Sequence, residues 1–118
     1  MSKSPTEVVR TSFLAYAAND RPAFEALMAP GFRFTSPMDY RLDHDGYFAR
    51  CWPERAPRPP ATFIDTAETG EKVFVTYEDR KPDGTRFRNT EAYTVRDNRI
   101  AEVEVYFGWD IPKDAPAK

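Results

Sequence analysis

Apolar residues recur at helical spacing in the first part of the chain. The segment 4–7 carries three agreeing signals of a helix start: a capping Ser, a Pro suited to the first helical position, and a Glu that completes a capping box. Val9, Phe13 and Tyr16 then lie on one face of the predicted helix. We expect this helix to end near Asn19.

Two further helices and one strand are predicted before the middle of the chain. Asp20 can cap a second short helix, which Pro30-Gly31 is expected to stop. Phe32–Ser36 alternates like a strand whose apolar face is Phe32 and Phe34. Asp43 can cap a third helix that runs from His44 to about Trp52.

The second half of the chain has the pattern of a four-stranded antiparallel meander. Its turns consist of residue types that tolerate tight turn geometry. The predicted strands are Ala61–Thr69, Lys72–Arg80, Thr85–Arg96 and Arg99–Trp109. Because helices come first and strands last, the pattern predicts an α+β fold, in which a long twisted meander curls around what packs on its concave face. We expect a single domain over residues 1–118, with residues 110–118 forming a flexible tail.

Two polar residues interrupt the apolar face of the third meander strand. Phe87 and Tyr93 share one parity, and Asn89 and Glu91 lie on the same face. A carboxylate on an apolar face must be paired, protonated or hydrated. One interpretation gives Glu91 a structural partner, such as a backbone group or Arg33, or a solvated sheet edge. The other interpretation, supported by Asn89 beside it, is that both side chains line a pocket, because a broken local pattern tends to mark a functional site.

The last predicted strand alternates without such a break. Val103, Val105, Phe107 and Trp109 are expected to face the core, and Tyr106 the opposite side.

Composition and charge exclude several classes of function. The 118 residues suit one domain, and the aromatic share of 14% supplies material for pocket walls. A net charge of −2 without a basic block argues against nucleic acid. The sequence has one Cys, Cys51, which excludes an internal disulfide, and one His, His44, so that a Cys/His zinc site is also excluded. We expect Cys51 to be an inert buried thiol. No apolar run is long enough to span a membrane and no signal core is present, so we expect a cytoplasmic protein.

Two stretches of sequence carry a resemblance to a known superfamily. Phe34–Pro37, after the second predicted helix, and Asn98–Phe107 resemble the nuclear transport factor 2-like superfamily, which includes ketosteroid isomerases and SnoaL-like polyketide cyclases. The resemblance implies a cone in which three helices line a strongly curved antiparallel sheet and enclose a pocket. It also implies a homodimer through the outer sheet face, where Phe74 and Tyr106 would lie. Because this fold hosts enzymes, binders and scaffolds, it does not decide function.

Compared with the isomerases, the candidate catalytic set is incomplete. Ser36 stands where these enzymes have a general-base Asp. Glu91 matches the position of their protonated Asp, and Tyr16 lies near that of their oxyanion-hole Tyr. Asp39 or His44 could replace the missing base. A loose further candidate, for cyclase chemistry, is Asp110.

Three functions remain open after this comparison. The first is a cofactor-independent isomerase or cyclase acting on a small apolar carbonyl compound, the second a binding module for an apolar ligand without turnover, and the third a dimeric scaffold or interaction domain. We expect no metal and no cofactor. The predicted pocket lining is Phe34, Ser36, Phe48, Trp52, Tyr77, Asn89, Tyr93, Val105 and Phe107.

Overall fold

Three helices form where the sequence carries caps. A computed structural model describes residues 3–116. Its helices are α1 (Pro5–Ala17), α2 (Arg21–Glu25) and α3 (His44–Arg50). The capping box of α1 is confirmed, because the Ser4 hydroxyl accepts from the Glu7 N–H and the Glu7 carboxylate accepts from the Ser4 N–H. Asp20 and Asp43 cap α2 and α3 as predicted. Within the described residues no helix is long and apolar enough to cross a membrane.

Six strands form one curved sheet, which confirms the predicted α+β architecture. The strands are β1 (Met28–Ser36), β2 (Asp39–Leu42), β3 (Thr62–Thr69), β4 (Lys72–Arg80), β5 (Arg86–Arg96) and β6 (Arg99–Asp110). Their order across the sheet is β2-β1-β6-β5-β4-β3. All neighbours are antiparallel except β1 and β6, which pair in parallel. That one parallel pair departs from the predicted antiparallel sheet, and the long connection through β2, α3 and the meander makes it possible.

The boundaries in the first half differ from the prediction. The helix α2 ends at Glu25, β1 begins four residues before Phe32, and β2 was not predicted. The N–H of Ile100 donates to the carbonyl of Leu27 at 2.6 Å and draws the chain after α2 into the sheet beside β6. Pro30-Gly31 lies within an irregular stretch of the β1–β6 register, where the missing N–H of proline is tolerated.

A bulge near the end of β6 reverses the face of Trp109. Phe107 lies opposite Asn89, but Trp109 lies opposite Arg88, so Gly108 is an extra residue on its strand. A Cβ at Gly108 would overlap the carbonyl oxygen of Arg88 and stand 3.0 Å from its carbonyl carbon. The predicted core-facing orientation of Trp109 is therefore wrong, and this side chain lies exposed on the outer face.

The packed core occupies only part of the concave face. Val73, Tyr93 and Val103 form one cross-strand row and are all buried. The next cross-strand row along the sheet contains Glu91, and the row after that contains Asn89 and Phe107. The side chain of Phe107 is 57% exposed. The sheet thus runs from a filled interior to an open end, and the helices cover the filled part.

The last described residues remain attached to the sheet at first. The strand β6 extends through Asp110, and Ile111 is buried with its N–H donating to the carbonyl of Arg86. These two residues belong to the segment predicted as a flexible tail. Flexibility of the remainder stays a prediction, and its last two residues, 117 and 118, lie outside the described range.

Candidate functional site

A cavity of about 430 Å³ lies between the helices and the open end of the sheet. Residues of all three helices and of five strands contribute to its wall. The wall is mainly apolar and includes Phe13, Phe24, Phe32, Phe34, Phe87 and Phe107. A concave cavity of this size, with a mainly apolar wall that also carries polar groups, suits a small organic molecule.

Glu91 places a carboxyl group on the cavity wall, held by two tyrosines. The hydroxyl of Tyr77 donates to Oε2 at 2.6 Å, and the hydroxyl of Tyr93 donates to Oε1 at 2.5 Å. No arginine or lysine of the described residues pairs with this carboxylate, so the structural alternative of a bond to Arg33 does not apply: Arg33 donates to the carbonyl of Phe32 instead. Glu91 therefore lies on the cavity wall without a directly paired cation among residues 3–116.

Burial raises the pKa of Glu91 above its ordinary value of 4.5. Desolvation is the largest cause, and the charge of Asp79 adds to it, while the two tyrosine hydrogen bonds lower the pKa in part. Burial and the Glu91 charge also raise the pKa of Tyr77 and of Tyr93 far above the usual range, so both act as neutral donors. The arrangement favours a carboxyl group that holds its proton more tightly than an exposed glutamate does.

The side chain of Asn89 connects this group to the backbone. Its Oδ1 accepts from the N–H of Gly108 at 3.1 Å, and its Nδ2 donates to the hydroxyl of Tyr77 at 3.3 Å. The bulge at Gly108 brings this N–H to the amide. Thus the two polar residues that interrupt the apolar face of β5 belong to one hydrogen-bonded group.

Two more tyrosines of the cavity wall, both on helices, are affected by the charge of Glu91. Tyr16 of α1 and Tyr47 of α3 line the cavity, and the charge of Glu91 contributes to raising the pKa of each after desolvation, the largest cause. The guanidinium of Arg55 lies 5.1 Å from the centre of the Tyr16 ring. Within the described residues the Tyr47 hydroxyl has no hydrogen-bond partner, which leaves it available to a ligand.

Asp39 also lines the cavity, at the start of β2. Its Oδ1 accepts from Nε of Arg50 at 2.5 Å, and its Oδ2 lies 3.9 Å from the sulfur of Cys51. Ser36 lies opposite Asp39 in the β1–β2 pair, and both residues line the cavity. Cys51 is half-buried on the wall, and burial raises its pKa to about 11, which keeps it a thiol.

The structure places two other predicted acid–base residues away from the cavity. His44 bonds to Glu25 at 2.8 Å and to Asp45 at 2.9 Å, and it is absent from the cavity wall. His44 lies in the first turn of α3, on a side of the helix that does not face the cavity. Asp110 forms an exposed ion pair with Lys81.

The predicted pocket residues divide into two groups. The cavity wall includes Phe34, Ser36, Tyr77, Asn89, Tyr93, Val105 and Phe107. Phe48 and Trp52 instead pack behind it, since Trp52 meets the edges of Tyr16 and Phe24 at 5.4 and 5.1 Å between ring centres. The helix α3 ends at Arg50, so its last turn does not carry Trp52 onto the cavity side as predicted.

The sequence analysis did not predict some of the residues that line the cavity. Tyr47 precedes Cys51 by four positions, a helical spacing that could have indicated their shared face. Arg58 and Asp79, joined at 2.8 Å, form a polar part of the wall. No local pattern signals that pair, because Arg58 belongs to a proline-rich connection. Within residues 3–116 no cluster of His, Cys, Asp or Glu is arranged to hold a metal ion.

Comparisons with known proteins agree with this fold. Residues 9–103 match the family model described as SnoaL-like domain. A search of curated proteins found no match. Among solved structures, an NTF2-like protein of unknown function from Cytophaga hutchinsonii is similar with a TM-score of 0.75 and 18% identity, over 92% of this chain and 93% of that one.

Two similar structures have more informative descriptions. A putative polyketide cyclase from Sinorhizobium meliloti has a TM-score of 0.67 and 20% identity, over 87% of this chain and 99% of that one. The protein TerC, co-crystallised with polyporic acid, also has a TM-score of 0.67 and 20% identity, over 89% of this chain and 92% of that one. At these identities the likenesses show a common fold.

Proposed function

Because this chain belongs to the SnoaL-like domain family of the nuclear transport factor 2-like superfamily, we propose that it binds a small, largely apolar carbonyl compound and catalyses proton transfer beside the carbonyl group. Isomerisation and aldol-type cyclisation are the reaction classes, and no cofactor takes part. One observation carries the proposal: Glu91 is a carboxyl group in an aromatic cavity, and tyrosine hydroxyls are its partners.

Glu91 would act on the oxygen of the bound compound. Burial raises the pKa of Glu91, which increases the fraction that can donate a proton near neutral pH. A hydrogen bond from this carboxyl group, with another from Tyr16 or Tyr47, would stabilise the negative charge that develops on a carbonyl oxygen during enolisation. The burial of Glu91 strengthens such bonds, because less water surrounds the carboxyl group.

Asp39 would take the proton from the carbon next to the carbonyl. The C–H bond breaks, its proton moves to the Asp39 carboxylate, and the electron pair passes to the carbonyl oxygen, which Glu91 protonates. Arg50 holds this carboxylate on the cavity wall. Return of the proton to a different carbon gives an isomer, and attack of the enol on a second carbonyl closes a ring.

The nature of the similar proteins supports an organic ligand. One protein of this fold is described as a putative polyketide cyclase, and another was co-crystallised with polyporic acid. The aromatic wall of the present cavity offers stacking and edge contacts to flat, unsaturated molecules.

Binding without turnover is a second candidate, which two observations favour. The resemblance assigns the isomerase base to the position of Ser36, and the ion pair with Arg50 competes for the Asp39 carboxylate. In this case the cavity would hold and release the same compound.

Proton exchange with deuterium oxide distinguishes the two candidates. The protein is incubated with a panel of small cyclic ketones and enones, and loss of the hydrogen beside the carbonyl is followed by proton NMR, while calorimetry measures binding. We expect wild-type protein to accelerate exchange, Asp39→Asn to abolish exchange but retain binding, and Glu91→Ala to lose both in large part. His44→Gln serves as the control, because His44 lies away from the cavity. Binding without exchange supports the second candidate, and absence of both across the panel contradicts each of them.

We also propose that two copies pair through the outer sheet face. Phe74 and Tyr106 are 39% and 49% exposed there, and Trp109 adds a third exposed aromatic side chain. Sedimentation measurements should find a dimer that Tyr106→Glu dissociates and that Leu14→Glu, on the exposed side of α1, leaves intact. A monomeric wild type would contradict this proposal. The cytoplasmic location stays a prediction.

A further inference from the structure

Hydrogen bonds connect the backbone of β6 to the carboxyl group of Glu91. The links run from Gly108 through Asn89 and Tyr77 to Oε2, at 3.1, 3.3 and 2.6 Å. Oε1 has a different partner, Tyr93, which takes no part in this chain of bonds. The two oxygens of Glu91 therefore stand in unequal surroundings.

The direction of donation along this chain follows from its first member. A backbone N–H can only donate, so the amide oxygen of Asn89 must face Gly108. The NH₂ group of the same amide then faces Tyr77, and since it too can only donate, the Tyr77 oxygen accepts. The hydroxyl proton of Tyr77 is left to donate to Glu91. Only this arrangement gives each of the three hydrogen bonds one donor and one acceptor.

We propose that Asn89 is a positioning residue that fixes this direction, so that Oε2 of Glu91 always accepts and Oε1 carries the proton that Glu91 exchanges. A proton on Oε2 would face the hydroxyl proton of Tyr77, which Asn89 prevents from turning away. A proton on Oε1 meets only Tyr93, whose hydroxyl can rotate and accept it. The bulge at Gly108 is the origin of the asymmetry, because it supplies the first donor.

Other groups around Glu91 do not impose a direction. Tyr16 from α1 and Tyr47 from α3 carry hydroxyls that can either donate or accept, and Asp79 on β4 acts on Glu91 through its charge. These groups affect how tightly Glu91 holds a proton. They do not select the oxygen that holds it.

The inference rests on the proposed role of Glu91 as proton donor, and it adds which oxygen acts. The ligand oxygen would approach Oε1, and the proton would pass from Oε1 to it while the bond from Tyr77 stabilises the carboxylate that forms. Asn89 thus contributes to proton transfer without touching the ligand, through Tyr77.

A pair of double-mutant cycles tests the role of Asn89. The pKa of Glu91 is measured by carbon NMR of labelled glutamate carboxyl groups, with Glu91→Gln used to assign the signal. We expect Tyr77→Phe and Tyr93→Phe each to raise the pKa of Glu91, because each removes a donor to the carboxylate. Asn89→Leu should also raise it, by no more than Tyr77→Phe does, since Tyr77 is then free to turn away.

The double variants give the decisive comparison. Asn89→Leu should add nothing in the Tyr77→Phe background and its full upward shift in the Tyr93→Phe background. Thr90→Val, on the other face of the same strand, is the matched control and should leave the titration unchanged. Asn89→Ser, too short to bridge Gly108 and Tyr77, replaces Asn89→Leu if the latter does not fold.

Two results would overturn the proposal: an unchanged Glu91 titration in a folded Asn89 variant, or equal shifts from Asn89→Leu in both backgrounds. The titration uses protein without ligand. Failure of the ketone exchange assay would therefore contradict the proposed function alone, whereas failure of the cycles would contradict the directed chain of hydrogen bonds alone.

Discussion

Substitution of Gly108 by alanine should destabilise the protein and disturb the cavity together. The added Cβ would overlap the carbonyl oxygen of Arg88 on the neighbouring strand. Both atoms belong to backbone or are bonded directly to it, so no side-chain rotation relieves the overlap. The strands must separate or lose the bulge at this point.

The expected loss has two contributions. Forcing a methyl group into a filled space costs about 1–3 kcal/mol. Separation of the strands also breaks the bond from the Gly108 N–H to Asn89, which contributes about 1 kcal/mol. We therefore expect the free energy of unfolding to fall by roughly 2–4 kcal/mol, a large part of the about 5–15 kcal/mol typical of a domain.

Gly31→Ala is the matched control, because a Cβ at Gly31 meets nothing within 4 Å. Urea unfolding of wild type and both variants, followed by circular dichroism and by tryptophan fluorescence, gives the three free energies. The control should change stability by less than about 1 kcal/mol. Ligand affinity or the rate of ketone deuterium exchange is measured as well, and only Gly108→Ala should lower it.

Equal stabilities of the two variants, with equal dependence on urea, would refute this reasoning. Such a result would mean that the β5–β6 pair accommodates a side chain at the bulge and that the contact between Gly108 and Arg88 is not a constraint on the sheet.

Three further predictions concern single groups of the cavity. Glu91→Gln should gain stability relative to wild type as the pH rises. Burial raises the pKa of Glu91 in the folded state, so the wild type is favoured below the ordinary value of 4.5 and loses this advantage as the pH passes the raised pKa. Urea unfolding at acid and alkaline pH checks the sign, and a stability difference that does not change with pH would contradict it. Alkylation of Cys51 by iodoacetamide should be slow at neutral pH and rise about tenfold per pH unit toward its pKa of about 11, so rapid neutral labelling of the folded protein would contradict the pKa. Tyr47→Phe should change the free energy of unfolding by less than about 0.5 kcal/mol but lower the affinity for carbonyl ligands by about five- to tenfold, because the lost hydroxyl contacts a ligand rather than the fold. Calorimetry measures this affinity, and an unchanged value would exclude Tyr47 as a contact.

Several elements could be predicted because their signals are local. The capping box at Ser4 and Glu7, the caps at Asp20 and Asp43, and the tight turns of the meander depend on neighbours within four residues. The order of helices and strands indicated the fold class, and the nuclear transport factor 2-like resemblance is confirmed by the family match and by the similar structures.

The prediction was less successful where distant segments meet. Pro30-Gly31 has the sequence of a helix stop, yet the pairing of β1 with β6 extends a strand through it. Trp109 has the parity of the core face, and a bulge one residue earlier turns it outward. Both outcomes depend on partner strands that are remote in sequence.

The candidate site shows the same division. The broken parity at Asn89 and Glu91 was visible in the sequence because alternation along a strand is a local property. Their partners were not visible: Tyr77 meets Glu91 through the β4–β5 register, and Gly108 meets Asn89 through the bulge. His44 looked like an available base until the fold placed Glu25 beside it.

By itself, then, the sequence determined the starts of the three helices, the four strands of the meander, the α+β class, and the presence of a polar pair on an apolar face. Those properties follow from periodicity, capping and turn chemistry, which act over a few residues. Only the tertiary structure decided that the carboxyl group of Glu91 is held by tyrosines rather than by an arginine, and that it faces a cavity. Hydrogen bonds at this site join residues from three strands, β4, β5 and β6, and their meeting depends on strand register and on a single extra residue in β6.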